Sequence, residues 1–206
     1  MRYLVLYLAM GIPCLAGDWE ATAGAGFGIP RYVTFNSPAG SAQAGMGARY
    51  ALNAFASRKL GPKLMVEGGW LFQDGDFELK SGSAKTAFDA NTHAAYANVV
   101  WKFRPEESKF RPFIQGGSGA KFYRGIEQPR PRPLAEFGSF RDGTDARPLI
   151  LFGAGVEYSI KPHLALRLDL REITTPFPTS VIVPAPGVGV SGWLWDFVPT
   201  VGVTFK

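Results

Sequence analysis

Apolar and polar residues alternate along a stretch near the C-terminal end of the chain. Between Leu164 and Arg171, four leucines occupy every second position, and charged residues occupy three of the four remaining positions. A repeat of two residues is that of a β-strand with one apolar and one polar face. The pattern therefore predicts a strand over 164–171.

The same alternation predicts seven more strands. It is clearest at the C-terminus, where Trp193, Trp195, Phe197, Val201 and Val203 share one face, and weakest in the fifth strand, whose register Phe113 interrupts. The eight predicted strands are 19–29, 42–56, 63–73, 92–103, 111–123, 149–159, 164–171 and 193–205.

Short and long connections alternate between these strands. The second, fourth and sixth strands are each followed by a short piece, whereas the long connections are roughly 30–41, 74–91, 124–148 and 172–191. An antiparallel up-and-down meander produces this alternation, because every second connection lies at the same end. Eight strands of this length suit a closed barrel, which leaves no exposed edge. The predicted fold class is therefore all-β, an eight-stranded antiparallel up-and-down barrel.

Two kinds of barrel fit eight alternating strands. A lipocalin-type barrel is soluble and keeps its apolar residues inside, whereas an outer-membrane barrel turns them outward to lipid. All five tryptophans lie on the apolar side of their strands. If that side faces lipid, two aromatic girdles result, with Trp19, Trp101, Tyr158 and Phe205 near one rim and Trp70, Phe72, Trp193 and Trp195 near the other. This arrangement favours a transmembrane barrel.

The first seventeen residues have the features of a secretory signal peptide. Arg2 precedes an apolar run over 3–12, Pro13 follows it, and Cys14 and Ala16 are small residues before a cleavage site. A lipoprotein acylated at Cys14 is the alternative, which the preceding proline fits badly. We expect residues 1–17 to be removed and residues 18–206 to form the barrel. The mature chain then lacks cysteine and has 21 basic and 17 acidic residues, too small an excess to indicate nucleic-acid binding.

Two segments resemble the small OmpA/OmpX-type outer-membrane barrels. Residues 152–172 (FGAGVEYSIKPHLALRLDLRE) are similar to the penultimate hairpin of that family, and the ending DFVPTVGVTFK is similar to its closing strand. The family typically ends on an aromatic residue, whereas here Lys206 follows Phe205. The resemblance implies an outer-membrane protein without a periplasmic domain. Its implied partners are outer-membrane lipid and lipopolysaccharide, the outer-membrane assembly machinery, and an extracellular ligand at the loops.

Charged residues on the polar side of the strands are predicted to face the barrel lumen. In a barrel this narrow we interpret them as a paired network that fills the interior, since buried charges are tolerated only when paired and hydrogen-bonded. A selectivity or gating network is the alternative. The predicted lumen residues are Glu20, Arg49, Glu67, Lys102, Lys121, Glu157, Arg167, Asp169 and Arg171.

No catalytic, metal or cofactor site is predicted. Some similar barrels are enzymes that modify lipid A with a histidine at the lipid-facing rim, but His163 falls at the short-turn end. His93 has only Asn91 and Ala95 two residues away, so no nucleophile with an oriented base is visible. The glycines of 24–28 and 116–119 lack the spacing of nucleotide-binding loops.

Two loop stretches have unusual composition. Residues 129–133 alternate proline and arginine, and 172–191 is apolar enough to fold over the barrel mouth or to bind a partner. The predicted role is structural or interactive: membrane integrity, adhesion or resistance through the loops. The alternatives are a small channel, a lipid A-modifying enzyme and a soluble lipid carrier.

Overall fold

The computed structural model describes residues 18–38, 40–127 and 133–206, and these residues form strands, turns and irregular segments. None of them belongs to a helix long and apolar enough to cross a membrane. The predicted signal peptide and residues 129–132 of the proline- and arginine-rich stretch lie outside the described residues. The strands are β1 (Trp19–Arg31), β2 (Val33–Ser37), β3 (Gly40–Met46), β4 (Arg49–Lys59), β5 (Leu64–Asp74), β6 (Phe77–Ser81), β7 (Ala84–Phe88), β8 (Ala90–Lys102), β9 (Phe110–Gly125), β10 (Gly138–Phe140), β11 (Gly143–Lys161), β12 (Leu164–Pro176), β13 (Ile182–Pro184), β14 (Gly189–Ser191) and β15 (Trp193–Phe205).

Eight of these strands close into an antiparallel barrel, which confirms the predicted fold class. Their order around the barrel is β1-β15-β12-β11-β9-β8-β5-β4, with β4 paired back to β1. Tracing paired residues around the barrel from Arg31 returns to β1 at Ala21, ten residues lower on the same strand. Such a stagger requires strongly tilted strands, as is usual for closed barrels.

The predicted strands match the barrel strands, apart from the second. Residues 42–56 were predicted as one strand, but the chain breaks at Gly47 and Ala48 and only β4 belongs to the barrel. The first part, β3, pairs with β2 and β6 in a separate sheet. At the break, Gly47 leaves room for the Glu78 carboxylate, because a Cβ atom there would lie only 2.6 Å from one of its oxygens. The prediction of a continuous strand was therefore wrong.

The outer wall of the barrel is apolar. Leu166, Leu168 and Leu170 of β12 are each at least 40% exposed, and so are many apolar residues of the other strands. The eight predicted girdle residues all point outward, in two groups near opposite ends of the strands. Those at the short-turn end are Trp19, Trp101, Tyr158 and Phe205; those toward the long-loop end are Trp70, Phe72, Trp193 and Trp195. A wall of this kind fits a bilayer flanked by two interfaces.

The four long connections fold together over one end of the barrel. They contain a five-stranded sheet, ordered β14-β2-β3-β6-β7, and a two-stranded sheet of β10 and β13. We call the described residues of 32–48, 75–89, 126–142 and 177–192 the loop cap. Its apolar core also includes residues from the upper barrel wall and consists of Val33, Phe35, Ala42, Ala44, Met46, Phe77, Leu79, Phe88, Ala90, Tyr123, Phe137, Phe140, Phe177, Val181, Ile182 and Leu194. The apolar 172–191 segment therefore folds over the mouth.

Candidate functional site: the filled interior and the loop cap

Eight of the nine predicted lumen residues are buried inside the barrel. Each of the eight is at most 2% exposed: Glu20, Glu67, Lys102, Lys121, Glu157, Arg167, Asp169 and Arg171. Arg49 differs, because it is the first residue of β4 and stands at the mouth with a side chain 40% exposed. There its guanidinium pairs with Asp76 at 2.6 Å and Asp74 at 3.7 Å.

The middle of the barrel is occupied by the guanidinium of Arg167. Its Nε donates to Asp169 at 3.0 Å, its two terminal nitrogens donate to the two carboxylate oxygens of Glu67, and its side chain has no exposed surface. The rings of Phe55 and Phe113 lie 4.6 and 4.3 Å from the guanidinium carbon. Phe113 therefore faces inward, against the guanidinium, which explains why it interrupts the sequence pattern of its strand.

Amides and a second arginine complete this central cluster. Asn98 donates to Glu67 at 3.2 Å, and Gln115 donates to Asp169 at 2.9 Å. Arg171 donates to the Tyr96 hydroxyl at 2.6 Å and lies 3.4 Å from Asp169. Both carboxylates are therefore paired with cations and hydrogen-bonded, as buried charges must be.

A second ionic cluster closes the short-turn end. The Lys102 ammonium lies 2.8 Å from Glu157 and 3.4 Å from Glu20, and Lys206 reaches the other oxygen of Glu157 at 2.8 Å. Arg111 also pairs with Glu157. Arg111 was not among the predicted lumen residues, although it is two positions from Phe113, on the same side of β9.

A third cluster lies below the loop cap. Lys121 donates to Asp196 at 2.7 Å and to the Gln73 carbonyl at 2.8 Å, while the Gln73 amide donates to Asp196 at 2.7 Å. Asp196 was not predicted as a lumen residue, although it lies on the polar side of the last strand. The mouth cavity lined by Gln73, Asp74 and Asp196 has a volume of only about 10 Å³, room for one water at most.

Apolar layers separate the three clusters, which the sequence analysis did not anticipate. The layer between the central and upper clusters consists of Ala51, Leu71, Ala94, Tyr96, Leu149, Leu151, Ile173 and Val198. Met65, Val100 and Phe113 form a smaller group near the short-turn end. The run Leu149–Phe152 is a signal of this layer, since apolar residues there occupy both faces of β11. The interior is thus packed rather than water-filled.

The polar face of the loop cap carries a buried carboxylate. Glu78 accepts a hydrogen bond from Tyr32 at 2.6 Å and pairs with Lys80 and Lys85, each at 2.8 Å. Burial alone would raise the pKa of Glu78, but the bonds from Lys80, Lys85 and Tyr32 outweigh burial and lower the pKa to about 2. Burial and the bond to Glu78 raise the pKa of Tyr32.

We expect the loop cap to lose stability in acid through Glu78. Because the folded pKa lies below the ordinary value of 4.5, ionised Glu78 stabilises the cap above that pH, and the contribution is lost as the pH falls towards 2. Hydrogen exchange of β6 and β7, corrected for intrinsic rates, should show lower protection at pH 3 than at pH 6. Glu78→Gln should lower protection at pH 6 and weaken the pH dependence; equal pH dependence in both proteins would contradict the assignment.

The two histidines lie where the sequence pattern puts them. His93 faces outward in β8, with its ring 5.6 Å from Trp70 and 5.2 Å from Phe72. His163 is exposed in the turn between β11 and β12. Within the described ranges, no group of three or more histidine, cysteine or acidic side chains is arranged to hold a metal ion.

Comparison with known proteins identifies the fold. No family model and no curated protein matches the chain. Similar solved structures include Neisserial surface protein A, with 14% identity, a TM-score of 0.58, and coverage of 92% of this chain and 97% of that chain. OprG from Pseudomonas aeruginosa has 13% identity, a TM-score of 0.55, and coverage of 91% and 95%. AlkL, solved by solid-state NMR in lipid bilayers, has 14% identity, a TM-score of 0.54, and coverage of 92% and 89%.

These similarities agree with the apolar wall, the two aromatic girdles and the closed antiparallel barrel. In such barrels the long connections lie outside the cell and the short turns lie in the periplasm. The chain is an outer-membrane protein with the eight-stranded fold of the small OmpA/OmpX-like barrels.

Proposed function

We propose that this protein is a closed, non-enzymatic barrel that displays the loop cap at the cell surface as an interaction surface. The observation that carries the proposal is the apolar core shared by all four long connections. Surface loops are ordinarily mobile and poor in buried apolar residues. A loop region with its own core holds its outer face in one conformation, which reduces the ordering cost of binding a partner.

The outer face of the cap sheet is polar and continuous. Thr34 pairs with Gln43, Gln43 with Lys80, and Lys80 with Lys85, so these side chains form one row across four strands. Thr34, Gln43 and Lys85 are exposed, whereas the neighbouring Phe35 points into the cap core. This row offers hydrogen-bond donors and acceptors on a rigid platform.

A small channel is the alternative that the interior argues against. Ions would have to pass three paired clusters and an apolar layer within one narrow barrel. Single-channel recording in planar bilayers should therefore give no conductance steps, with a large porin in the same bilayers as the positive control. Stable openings of the intact protein would contradict the closed barrel.

The contacts of His93 do not favour the alternative of a lipid A-modifying enzyme. Among the described residues its side chain has ring contacts with Trp70 and Phe72, and no hydroxyl or carboxylate is hydrogen-bonded to it. General-base activation of a nucleophile needs such a bond. We expect the mass spectrum of lipid A to be the same with and without the protein; a modified species lost in His93→Ala would show an enzyme instead.

The surface role is tested with a variant that changes only the outer face. Thr34→Glu combined with Gln43→Glu adds two charges to the exposed row and leaves the cap core intact. In a deletion strain, we expect the native protein to restore adhesion or aggregation. We expect the double variant not to restore it. A control with Thr144→Glu, an exposed position in β11 outside the row, should restore the phenotype. Equal restoration by both variants would refute an interaction through this face.

A further inference from the structure

The basic excess of the mature chain is concentrated at the short-turn end of the barrel. This end consists of residues 18–20, 57–65, 102–111, 157–164 and 206, which include nine lysines and arginines and five acidic residues. The remainder of the mature chain has equal numbers of basic and acidic residues. The whole excess of positive charge therefore lies at the end that meets the periplasm.

Three lysines at this end have no acidic partner. Lys63 lies in the turn between β4 and β5, Lys109 lies in the turn between β8 and β9, and Lys161 is the last residue of β11. All three are exposed, and none of them forms an ion pair within the described part of the chain. Their ammonium groups are free to pair with an external anion.

Glu106, in the β8–β9 turn, shows what the surrounding cations do to a carboxylate. Lys59 donates a hydrogen bond to Glu106. This bond, together with the charges of Arg111 and Lys206, lowers the pKa of Glu106, although partial burial would raise it. A carboxylate at this end of the barrel is thus held in its ionised form.

A small recess lies between the β4–β5 and β8–β9 turns. Its volume is about 20 Å³, enough for one water or for one oxygen of a carboxylate. Lys63, Lys102 and Arg111 contribute to its lining. Arg111 is only 2% exposed, and its Nε atom has no hydrogen-bond partner among the described residues. A buried guanidinium N–H without an acceptor is costly, so the recess favours an anionic oxygen.

A larger recess lies on the other side of the β8–β9 turn, towards β12. Its volume is about 330 Å³, within the range of pockets that hold small ligands. Lys109 and Lys161 line it from two different turns, and Ile160, which is 54% exposed, adds apolar surface. Glu106 and Glu107 also contribute to the lining. The recess can therefore hold a short peptide segment whose carboxylates reach the two free lysines.

We propose that the short-turn end binds the free carboxylates of peptidoglycan peptides. Lys109 and Lys161 pair with carboxylates in the larger recess, and Lys63 and the Arg111 Nε bind another in the smaller recess. Peptidoglycan is a carboxylate-bearing polymer of the periplasm, so both its charge and its location match this end of the barrel. The contact is made by the turns of the barrel itself. The site is at the opposite end from the loop cap and does not depend on the proposed role of the cap.

The test is co-sedimentation of the detergent-solubilised protein with purified, protease-treated peptidoglycan sacculi. One sample of sacculi keeps its carboxylates, and in a second sample they are converted to neutral amides with carbodiimide and glycinamide. We expect the protein to bind the untreated sacculi about tenfold more tightly than the amidated sacculi. Binding should weaken as salt is added, because exposed ion pairs are screened.

The variant combines Lys63→Gln, Lys109→Gln and Lys161→Gln, which removes the three free cations and leaves the buried ionic clusters intact. We expect it to bind untreated sacculi about tenfold less tightly than the native protein. A shift in gel mobility on heating reports that the variant is folded.

The matched control combines Arg31→Gln, Arg124→Gln and Arg141→Gln, which removes the same charge from exposed positions at the long-loop end. We expect this control to bind untreated sacculi as the native protein does. Equal losses in the two triple variants would mean that only the net charge matters and would overturn the proposal. So would a native protein that binds both kinds of sacculi equally, or neither.

Discussion

Replacing Arg167 by methionine is expected to destabilise the barrel by about 3–5 kcal/mol, the usual cost of removing one partner from a buried ionic group. The substitution leaves Glu67 and Asp169, each at most 2% exposed, without the guanidinium that binds both. It also removes a cation held between the rings of Phe55 and Phe113. Urea unfolding in lipid vesicles, followed by tryptophan fluorescence, measures the difference.

Two comparisons separate this effect from a general loss of a charge. Arg58→Met removes an exposed, outward-facing arginine near Trp19 and should change stability by less than about 1 kcal/mol. Combining Arg167→Met with Glu67→Gln should recover much of the loss, because Asp169 keeps Arg171 as its partner and no unpaired buried charge remains. A loss as small as that of Arg58→Met would mean that the central cluster contributes little to stability.

The barrel was predictable because lipid and lumen impose opposite demands on alternate residues. In β12 the leucines face lipid while Arg167, Asp169 and Arg171 face the interior, so the period of two is undisturbed. Where both sides are apolar the period carries less information. Leu149 and Leu151 face inward beside outward Ile150 and Phe152, and nothing in the run marks which of them meet lipid.

The partners in the ionic clusters could not be predicted from the strands alone. Arg167 and Glu67 are 100 residues apart in sequence and meet only because the stagger of the barrel places their strands at matching heights. The inward position of Phe113 has the same origin, since its ring packs against the Arg167 guanidinium, which comes from another strand. The alternation of apolar and polar residues shows which side of the barrel a residue faces. It does not show which residue of another strand the side chain contacts.

The loop cap was the largest difference from expectation. Its core joins Phe35, Phe77, Phe140 and Ile182, one from each long connection, so no single segment contains the pattern of the whole. The apolar composition of 172–191 indicated that the segment is buried, but it did not indicate which residues the segment packs against. The same limit produced the error over 42–56, because the alternation continues from β3 into β4 although the two strands belong to different sheets.

Replacing Phe77 by alanine is expected to unfold the loop cap and to leave the barrel closed. Phe77 has no exposed surface, and its ring lies 6.4 Å from both Phe88 and Phe140. Truncating a buried phenylalanine costs about 3–5 kcal/mol, which falls on the cap because β6 pairs with β3 and β7 and with no barrel strand. Protease added to intact cells should then cleave the long connections, which the native cap protects.

The barrel of the Phe77→Ala variant should behave as in the native protein, because the closed ring of hydrogen-bonded strands and the ionic clusters inside it lie below the cap. Its gel mobility should still shift on heating, and its conductance should stay at the baseline, since the Lys121 and Asp196 cluster remains beneath the mouth. Ile126→Ala, at an exposed position in the same end of the molecule, is the matched control and should leave the connections protected. Loss of the heat shift together with the cap would mean that cap and barrel fold as one unit, and new conductance would mean that the cap, rather than the filled interior, closes the pore.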